Sequence, residues 1–396
     1  MLLLEDVAPI AVQKLQMENY DVETIKGALS GDELKEKIKD VHAIGIRSRT
    51  PLTADILSHA EKLLCIGCFC IGTDKVDLSA AAMKGVPVFN SPYQNSRSVA
   101  ELIISMIISL ARQTGDRNLE MHTGVWKKTA KGCLEIRGKT LGIVGYGHIG
   151  SQLSVLAESM GMRVIFYDVH SQMPLGNSKP VADLKSLLSQ SDFVTLHVPQ
   201  LPETKNMIGK AELELMQKGA FLLNASRGTV VVIPELIAAL NSGHLGGAYL
   251  DVYPEEPAEN GATELFRELA KCPNTILSPH IGGSTTEAQV AIGEEVAHRF
   301  ISFISTGNTY GSVNFPQMDL AYSGEGTHRI INVHANRPGV LKEINNILSV
   351  YNIEGQTLRT QKNIGYFIVD VDSQFSDEIR ERIAALHASI KTRVVY

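Results

Sequence analysis

The chain has 396 residues, a formal net charge of −6 and an isoelectric point near 6.1. This length allows two or three domains. The acidic balance argues against a nucleic-acid or membrane-surface protein, because such partners usually require a basic face. Residues 1–6 soon turn acidic, and the apolar stretch 102–111 is too short to span a bilayer. We therefore expect a cytoplasmic protein without a targeting or transmembrane segment.

Short apolar strands alternate with helical stretches over residues 22–92, which is typical of an α/β unit. The strands are predicted at 43–46, 63–71 and 86–89. A strongly apolar helix at 98–112 follows, and such a helix suits a domain or subunit interface. This pattern favours a homo-oligomer.

Three cysteines, Cys65, Cys68 and Cys70, share the strand-like segment 64–72. A zinc site requires a fourth ligand at a suitable spacing, and the neighbouring sequence offers none. We expect buried free thiols in a reducing compartment, and no metal.

A glycine-rich turn follows an apolar strand in Leu141-Gly142-Ile143-Val144-Gly145-Tyr146-Gly147-His148-Ile149-Gly150. Gly145 permits the tight turn, Gly147 lets the backbone approach a pyrophosphate, and Gly150 lets the next helix pack on its strand. The strand 163–167 then leads to Asp168, whose carboxylate can accept a ribose 2′-hydroxyl and would repel a 2′-phosphate. This order predicts a dinucleotide site for NAD.

The same β-α alternation continues over residues 139–283 and predicts a doubly wound sheet. Its further strands are predicted at 193–198, 220–224, 247–251 and 275–278. Residues 285–306 are predicted to form a helix. Residues 313–316 are predicted as a strand that returns to the first unit, which would make that unit discontinuous.

Three polar side chains, Arg227, Glu256 and His280, follow three strands of this sheet. Each alone could be structural, but the carboxyl ends of parallel strands meet at one edge, where ligands bind. Arg227 can hold a carboxylate bidentately, and His280 can exchange a proton near neutral pH. Glu256 can raise the pKa of the imidazole and fix its tautomer. The set suits hydride transfer from a 2-hydroxy acid.

Further basic residues are candidates for an anion site. Arg47 and Arg49 follow the strand 43–46, across the expected interdomain cleft, and Lys128 precedes the glycine motif. A second anion on the substrate, such as a phosphate, would account for this positive charge.

The C-terminal segment has a pattern of its own after the flexible composition of residues 323–326. Its strands are predicted at 329–334, 365–371 and 392–396, and its helices at 339–350 and 377–387. This order indicates a small βαββαβ unit.

Seven segments together resemble the D-isomer-specific 2-hydroxyacid dehydrogenases over nearly the whole chain. They are residues 45–50, 67–73, 95–101, 145–150, 224–228, 251–257 and 278–284. The resemblance implies an α/β protein with three domains. These are a flavodoxin-like, discontinuous substrate domain at 1–92 and 285–318, a Rossmann-type NAD-binding domain at 93–284, and a ferredoxin-like ACT regulatory domain at 327–396. A hinge at 319–326 precedes the ACT domain.

The resemblance also implies a reaction, which is NAD-dependent oxidation of 3-phospho-D-glycerate to 3-phosphohydroxypyruvate in a homotetramer, the first step of L-serine biosynthesis. The implied catalytic residues are Arg227, Glu256 and His280, and the implied substrate contacts are Arg47, Arg49, Lys128 and Arg227. The implied NAD contacts are Gly145, Tyr146, Gly147, His148, Ile149, Gly150, Asp168, His197, Val198, Pro199, Ala225, Ser226, Arg227, Asp251, His280, Gly282 and Gly283.

The C-terminal unit resembles an ACT domain through His334-Ala335-Asn336-Arg337-Pro338-Gly339-Val340-Leu341. The resemblance implies that His334, Asn336 and Arg337 bind L-serine at an interface between two such domains, with feedback inhibition. Glu354 stands where serine-inhibited relatives carry an asparagine. An acid there could change the affinity or abolish the response.

Two alternatives stay open. Another 2-hydroxyacid dehydrogenase would use the same three residues on lactate, glycerate, 2-hydroxyglutarate or 2-oxoglutarate, although the ACT segment and the Arg47/Arg49 pair weigh against it. An NAD-sensing corepressor on the same scaffold would bind protein partners with negligible turnover.

Overall fold

The computed structural model describes residues 1–257, 261, 263–264, 266–321 and 326–396. These residues form two compact units, Met1–Gln94 with Gln289–Tyr396, and Asn95–Ala288. Residues 322–325 of the predicted hinge lie outside the described residues. The C-terminal segment packs within the first unit, and its division into a separate domain stays a prediction.

A five-stranded parallel sheet forms the N-terminal part of the first unit. Its strands are β1 (Leu2–Leu4), β2 (Glu23–Ile25), β3 (Ala43–Ile46), β4 (Cys65–Cys68) and β5 (Val88–Asn90), and its helices are α1 (Pro9–Met17), α2 (Gly31–Ile38), α3 (Ala54–Ser58) and α4 (Leu78–Met83). The strand order β2-β1-β3-β4-β5 is flavodoxin-like. Because every residue of β1, β3, β4 and β5 is buried, these strands are short continuous apolar runs rather than alternating ones.

A seven-stranded parallel sheet forms the core of the second unit. Its strands are β6 (Thr140–Val144), β7 (Arg163–Tyr167), β8 (Lys179–Pro180), β9 (Phe193–Leu196), β10 (Phe221–Asn224), β11 (Gly247–Leu250) and β12 (Thr275–Leu277). They lie in the order β12-β11-β10-β9-β6-β7-β8. The order reverses between β6 and β9, which is the switch point at which doubly wound sheets bind dinucleotides. The predicted Rossmann-type sheet is confirmed.

The second unit also contains helices. They are α5 (Ser96–Arg112), α6 (Thr114–His122), α7 (His148–Ser159), α8 (Leu184–Gln190), α9 (Lys210–Leu215), α10 (Ile233–Asn241) and α11 (Arg267–Ala270), with a 3₁₀ turn at Gly228–Val230. Helix α5 buries Val99, Ile103, Ile107 and Leu110 at helical spacing. These side chains join the core that includes Ile143, so the helix predicted at 98–112 contributes to the interior of its own unit.

The C-terminal segment folds as the predicted βαββαβ unit. Its elements are β13 (Thr327–Ala335), α13 (Val340–Leu348), β14 (Ile353–Gln361), β15 (Ile364–Asp372), a 3₁₀ turn (Ser373–Phe375), α14 (Ser376–Ala384) and β16 (Ser389–Val395). The sheet is antiparallel in the order β14-β15-β13-β16, which is ferredoxin-like.

The strand predicted at 313–316 is wrong. Residue Ser312 makes one isolated antiparallel bridge with Phe89. After this bridge, the side chain of Asn314 makes the next hydrogen bonds to the sheet. Its Oδ1 accepts from Val88 N at 2.8 Å, and its Nδ2 donates to Val86 O at 3.1 Å. A side-chain amide therefore provides the contacts with this part of the sheet that a strand backbone would otherwise make.

Helix α12 (Thr286–Thr306) ends against the C-terminal sheet inside the first unit. Arg393 donates to Ile304 O at 2.8 Å, Arg329 to Thr306 O at 3.0 Å, and Tyr366 to Gly307 O at 2.7 Å. The last carbonyls of a helix have no partner within it and favour cations. The C-terminal sheet supplies both the donors and the charge.

Candidate active site

The turn after β6 is built by the glycines of the sequence motif. Gly145 has a φ of 92°, and a Cβ there would lie 2.5 Å from His197 O. A Cβ on Gly150 would lie 2.3 Å from Gly145 O, so both positions exclude larger residues. A Cβ on Gly147 would meet no atom within 4 Å. Gly147 therefore leaves open space at the N-terminus of α7, where a phosphate can approach.

Asp168 ties the turn to the end of β7. Its Oδ2 accepts from Tyr146 N at 2.8 Å and its Oδ1 from His170 N at 2.9 Å. The Tyr146 side chain points into the core, where its ring stacks on Phe166 at 3.7 Å and its hydroxyl bonds Ser154 and Ser178. The side chain of Tyr146 is thus used inside the core, and its N–H is used by Asp168. His148 and Ile149 are the first residues of α7.

A cavity of about 200 Å³ lies beside Asp168 and is lined in part by Val169, His170 and Gln172. The open glycine, the helix N-terminus, the carboxylate and this cavity fit the pyrophosphate and adenosine of a dinucleotide. These are the residues that would hold NAD.

The residues after β9 border the same turn. His197 bonds Thr195 Oγ1 through Nε2 at 3.0 Å, and its Nδ1 is buried without a partner among the described residues. Burial lowers the pKa of His197 to about 4, so the ring is neutral at physiological pH. Val198 is half-buried and Pro199 is exposed.

Arg227 is held by a turn that Asn224 organises. Asn224 Oδ1 accepts from Ser226 N at 3.0 Å and from Ser226 Oγ at 2.8 Å, while its Nδ2 donates to Arg227 O at 3.1 Å. A Cβ on Gly228 would lie 1.8 Å from the carbonyl carbon of Tyr253, so this turn packs directly on the loop that carries Glu256. Ala225 and Arg227 are half-buried and Ser226 is buried.

His280 and Glu256 form a hydrogen-bonded pair, with Nδ1 and Oε2 2.9 Å apart. The bond to Glu256 raises the pKa of His280 against the opposing effect of burial. Burial would raise the pKa of Glu256, but the hydrogen bond and charge of His280, the Tyr253 N–H and the charge of Arg227 together lower it. Arg227 thus acts electrostatically on both members of the pair.

Asp251 fixes the backbone around His280. Its Oδ1 accepts from Ile281 N at 2.9 Å, its Oδ2 from Gly282 N at 2.7 Å, and its backbone carbonyl from His280 N at 2.8 Å. His280 adopts a left-handed φ of 55°. Asp251 is 1% exposed, so its carboxylate acts on the loop from inside the unit. A Cβ on Gly283 would lie 2.4 Å from Asn95 Nδ2, which closes the other side of the turn.

Three further residues shape this site, although the sequence motifs did not assign them to it. Asn224 shapes the Arg227 turn, Gly228 admits the Glu256 loop, and Ser278 Oγ donates to Asp251 Oδ1 at 2.5 Å. Each of these residues lies at or just after the end of a strand and is close in sequence to a residue already assigned to the site. That position is the sequence feature from which they could have been found.

The remaining candidates belong to other segments of the chain. Arg47 and Arg49 follow β3 in the first unit, and Lys128 lies in an exposed stretch after α6 in the second. His334 is 3% exposed and its Nδ1 bonds Asn332 Oδ1 at 2.9 Å. Asn336 donates to Lys362 O at 3.0 Å and Arg337 to His387 O at 3.1 Å.

Two kinds of feature are absent from the described residues. Their helices include none that is both long and apolar enough to cross a membrane. Their His, Cys, Asp and Glu side chains form no group of three or more that could hold a metal ion. The cysteines are free thiols, with Cys65 and Cys68 buried and Cys70 half-buried.

Comparison with known proteins agrees with this geometry. A family model described as D-isomer specific 2-hydroxyacid dehydrogenase, NAD binding domain, matches residues 104–282. The D-3-phosphoglycerate dehydrogenase of Dictyostelium discoideum is 59% identical over 395 residues, which cover 100% of this chain and 97% of that protein. The D-3-phosphoglycerate dehydrogenase of Escherichia coli K12 is 49% identical over 400 residues, which cover 100% of this chain and 97% of that protein.

A solved structure is also similar. The D-lactate dehydrogenase from Aquifex aeolicus, complexed with NAD and lactic acid, matches with a TM-score of 0.71 and 27% identity, covering 80% of this chain and 100% of that one. The fold, the site and these matches show that the chain belongs to the D-isomer-specific 2-hydroxyacid dehydrogenases, and the predicted NAD cofactor is confirmed. Within that family, its full-length relatives show that it belongs to the D-3-phosphoglycerate dehydrogenases.

Proposed function

We propose that the protein oxidises 3-phospho-D-glycerate to 3-phosphohydroxypyruvate with NAD, the reaction that opens L-serine biosynthesis. The hydrogen bond of 2.9 Å between His280 Nδ1 and Glu256 Oε2 carries the proposal, because it forms a poised base at the carboxyl edge of the dinucleotide sheet. The full-length likeness to D-3-phosphoglycerate dehydrogenases supports the choice of substrate.

The proposed chemistry divides among three side chains. NAD, when bound, supplies the acceptor for the hydride that leaves C2. His280 takes the proton of the C2 hydroxyl through Nε2, since Glu256 engages Nδ1. Glu256 stabilises the imidazolium that forms. Arg227 holds the substrate carboxylate through its planar fork and thereby orients C2. In the reverse direction His280 returns the proton to the carbonyl oxygen.

Arg47, Arg49 and Lys128 are the proposed contacts for the substrate's phosphate and carboxylate. Arginine suits this role because its guanidinium binds phosphate bidentately and stays charged. A 2-hydroxy acid without a second anionic group, such as lactate or glycerate, needs fewer cations than this set provides.

Forward turnover tests the proposal. The purified protein is incubated with NAD and 3-phospho-D-glycerate, with 2-phospho-D-glycerate, D-glycerate and D-lactate in parallel, and NADH is followed by absorbance. NADH formation from 3-phospho-D-glycerate alone supports the proposal. Faster turnover of an unphosphorylated acid identifies a sister dehydrogenase, and no turnover with any substrate favours the corepressor alternative.

We further propose that residues 327–396 form an ACT regulatory domain through which L-serine inhibits the enzyme. The ferredoxin-like sheet supports this role, and His334, Asn336 and Arg337 are the proposed effector residues. Glu354 is exposed and accepts from Asn352 Nδ2 at 2.8 Å. A homotetramer and a cytoplasmic location are proposed from the family resemblance.

A further inference from the structure

Glu5 is a buried carboxylate that holds the loop carrying Arg47 and Arg49. Its side chain is 2% exposed. Oε2 accepts from the backbone N–H groups of Ser48 and Arg49, each at 3.0 Å, and Oε1 accepts from Thr50 N at 2.8 Å. Successive N–H groups that converge in this way form a concavity that binds anions. Here the chain's own carboxylate occupies it.

Strand pairing explains why Glu5 reaches this loop. β1 and β3 are parallel neighbours, with Leu3 opposite Gly45, so Glu5 and the loop emerge at the same edge of the sheet. Glu5 has a φ of 66° and Asp6 a φ of 55°. Two successive non-glycine residues in the left-handed region are strained, and such strain persists only where surrounding contacts determine the conformation. The three hydrogen bonds to Glu5 are such contacts.

The same carboxylate lies beside the Arg49 guanidinium. Arg49 Nε is 3.7 Å from Glu5 Oε2, and the two terminal nitrogens of Arg49 have no partner within the described part of the chain. Arg47 O accepts from Cys70 Sγ at 3.3 Å, which fixes the loop from its other side. The backbone of the loop is therefore held at both ends, while the terminal donors of Arg49 remain for a ligand.

We infer that Glu5 is a positioning residue for the phosphorylated substrate. The carboxylate of Glu5 offsets part of the positive charge of Arg47 and Arg49. It also fixes the backbone conformation of residues 47–50, and it leaves the terminal guanidinium nitrogens of Arg49 directed toward the ligand. A carboxylate this close to a substrate cation would repel an anionic ligand if it were exposed. Because Glu5 is buried and accepts three backbone N–H hydrogen bonds, its negative charge is compensated by these donors and does not face the ligand. This inference rests on the proposed function, because it assigns Arg47 and Arg49 to the substrate.

The test compares two substrates in one preparation of Glu5→Gln. Gln keeps the size but has one acceptor oxygen instead of two and no charge, so at least one of the three backbone N–H groups faces an NH₂ group and loses its hydrogen bond. The ratio of kcat/KM for 3-phosphohydroxypyruvate to that for hydroxypyruvate is measured with NADH. This ratio is independent of the fraction of protein that is folded. We expect it to fall about tenfold or more, with KM for the phosphorylated substrate raised and KM for NADH unchanged.

Two further variants separate positioning from stability. Glu5→Asp keeps the charge but is one methylene shorter, so an intermediate ratio is expected. Asp370→Asn removes an equally buried carboxylate from the C-terminal sheet of the same unit, and should lower the thermal midpoint without changing the ratio.

An unchanged ratio in Glu5→Gln, with only a lower thermal midpoint, would show that Glu5 is purely structural and would overturn the inference. The proposed function itself fails in a different way, namely if the wild-type protein already shows no preference for 3-phosphohydroxypyruvate.

Discussion

His280 Nδ1 lies 2.9 Å from Glu256 Oε2, and this contact joins the loops that follow the neighbouring strands β12 and β11. The hydrogen bond raises the pKa of His280, while Glu256 keeps a lowered pKa and stays ionised. His280 is therefore more basic than a free imidazole and can hold the proton that the reverse reaction requires.

Replacing His280 with alanine removes the proposed base. Turnover should fall by about 10²–10⁴-fold, whereas NADH binding, measured by fluorescence titration, should remain close to wild type. His59→Ala, at a half-buried position of the first unit, serves as the control and should retain full activity. Full activity in His280→Ala would refute the base assignment.

Glu256→Gln tests the pairing itself. Gln can still accept the Nδ1 proton through its carbonyl oxygen, but it removes the charge that raises the pKa of His280. Reduction of the keto acid requires protonated His280, so the falling limb of kcat/KM should move to lower pH. The rising limb in the oxidation direction should move the same way. Turnover should fall on the order of 10²-fold. An unshifted pH profile would contradict the coupling.

Asp168→Ala tests the choice of cofactor. The change removes a carboxylate that would repel a 2′-phosphate, and it also frees Tyr146 N and His170 N. The ratio of kcat/KM for NADH to that for NADPH should fall about tenfold or more. Asp116→Asn, at a half-buried position of α6, should leave the ratio unchanged. If Asp168→Ala discriminates as strongly as wild type, another group selects the cofactor.

Arg329 and Asp370 form a fully buried ion pair, with side chains 1% and 0% exposed and Nε 2.7 Å from Oδ1. Arg329→Met leaves the carboxylate buried and uncompensated, so the free energy of unfolding should fall by about 3–5 kcal/mol in chemical denaturation. Lys271→Met breaks an exposed pair with Glu268 and should cost less than about 1 kcal/mol. Equal losses of unfolding free energy in the two variants would show that burial does not determine how much an ion pair contributes to stability.

L-serine tests the regulatory proposal. Inhibition at millimolar serine is expected in the wild-type protein and should be absent in His334→Ala, because that side chain is a proposed effector contact. Glu354→Asn should strengthen inhibition, since it replaces an acid at a proposed effector position with the asparagine that the family resemblance leads us to expect there. D-serine at the same concentration controls for non-specific effects. If L-serine changes the rate of neither the wild type nor Glu354→Asn, the regulatory proposal is wrong.

The sequence predicted those parts of the molecule that follow from local patterns. The sequence predicted the glycine turn and the strand that leads to Asp168. It also predicted which polar residues follow buried strands, and these could be grouped because strand ends in a parallel sheet share one edge. The ferredoxin-like unit was also predicted correctly from the order of its strands and helices. The strand predicted at 313–316 failed because Asn314 bonds β5 through its side chain, which an apolar pattern does not reveal.

Other features depend on contacts distant in sequence. Glu5 reaches the Arg47 loop across 45 residues to Thr50, and the Gly228 turn meets Tyr253 through space. Tyr146 belongs to the predicted cofactor motif, yet its ring turns inward onto Phe166. Such relationships require the register of the sheets, and no local spacing encodes them.

The most direct measurement is NADH oxidation by the purified protein with 3-phosphohydroxypyruvate, beside pyruvate, hydroxypyruvate and 2-oxoglutarate at equal concentrations. We expect kcat/KM for the phosphorylated acid to exceed that of pyruvate and hydroxypyruvate by about 10²-fold or more, because these two acids carry no second anion for the additional cations. It should also exceed that of 2-oxoglutarate, whose second carboxylate carries less charge than a phosphate. A higher kcat/KM for any unphosphorylated acid would contradict the account.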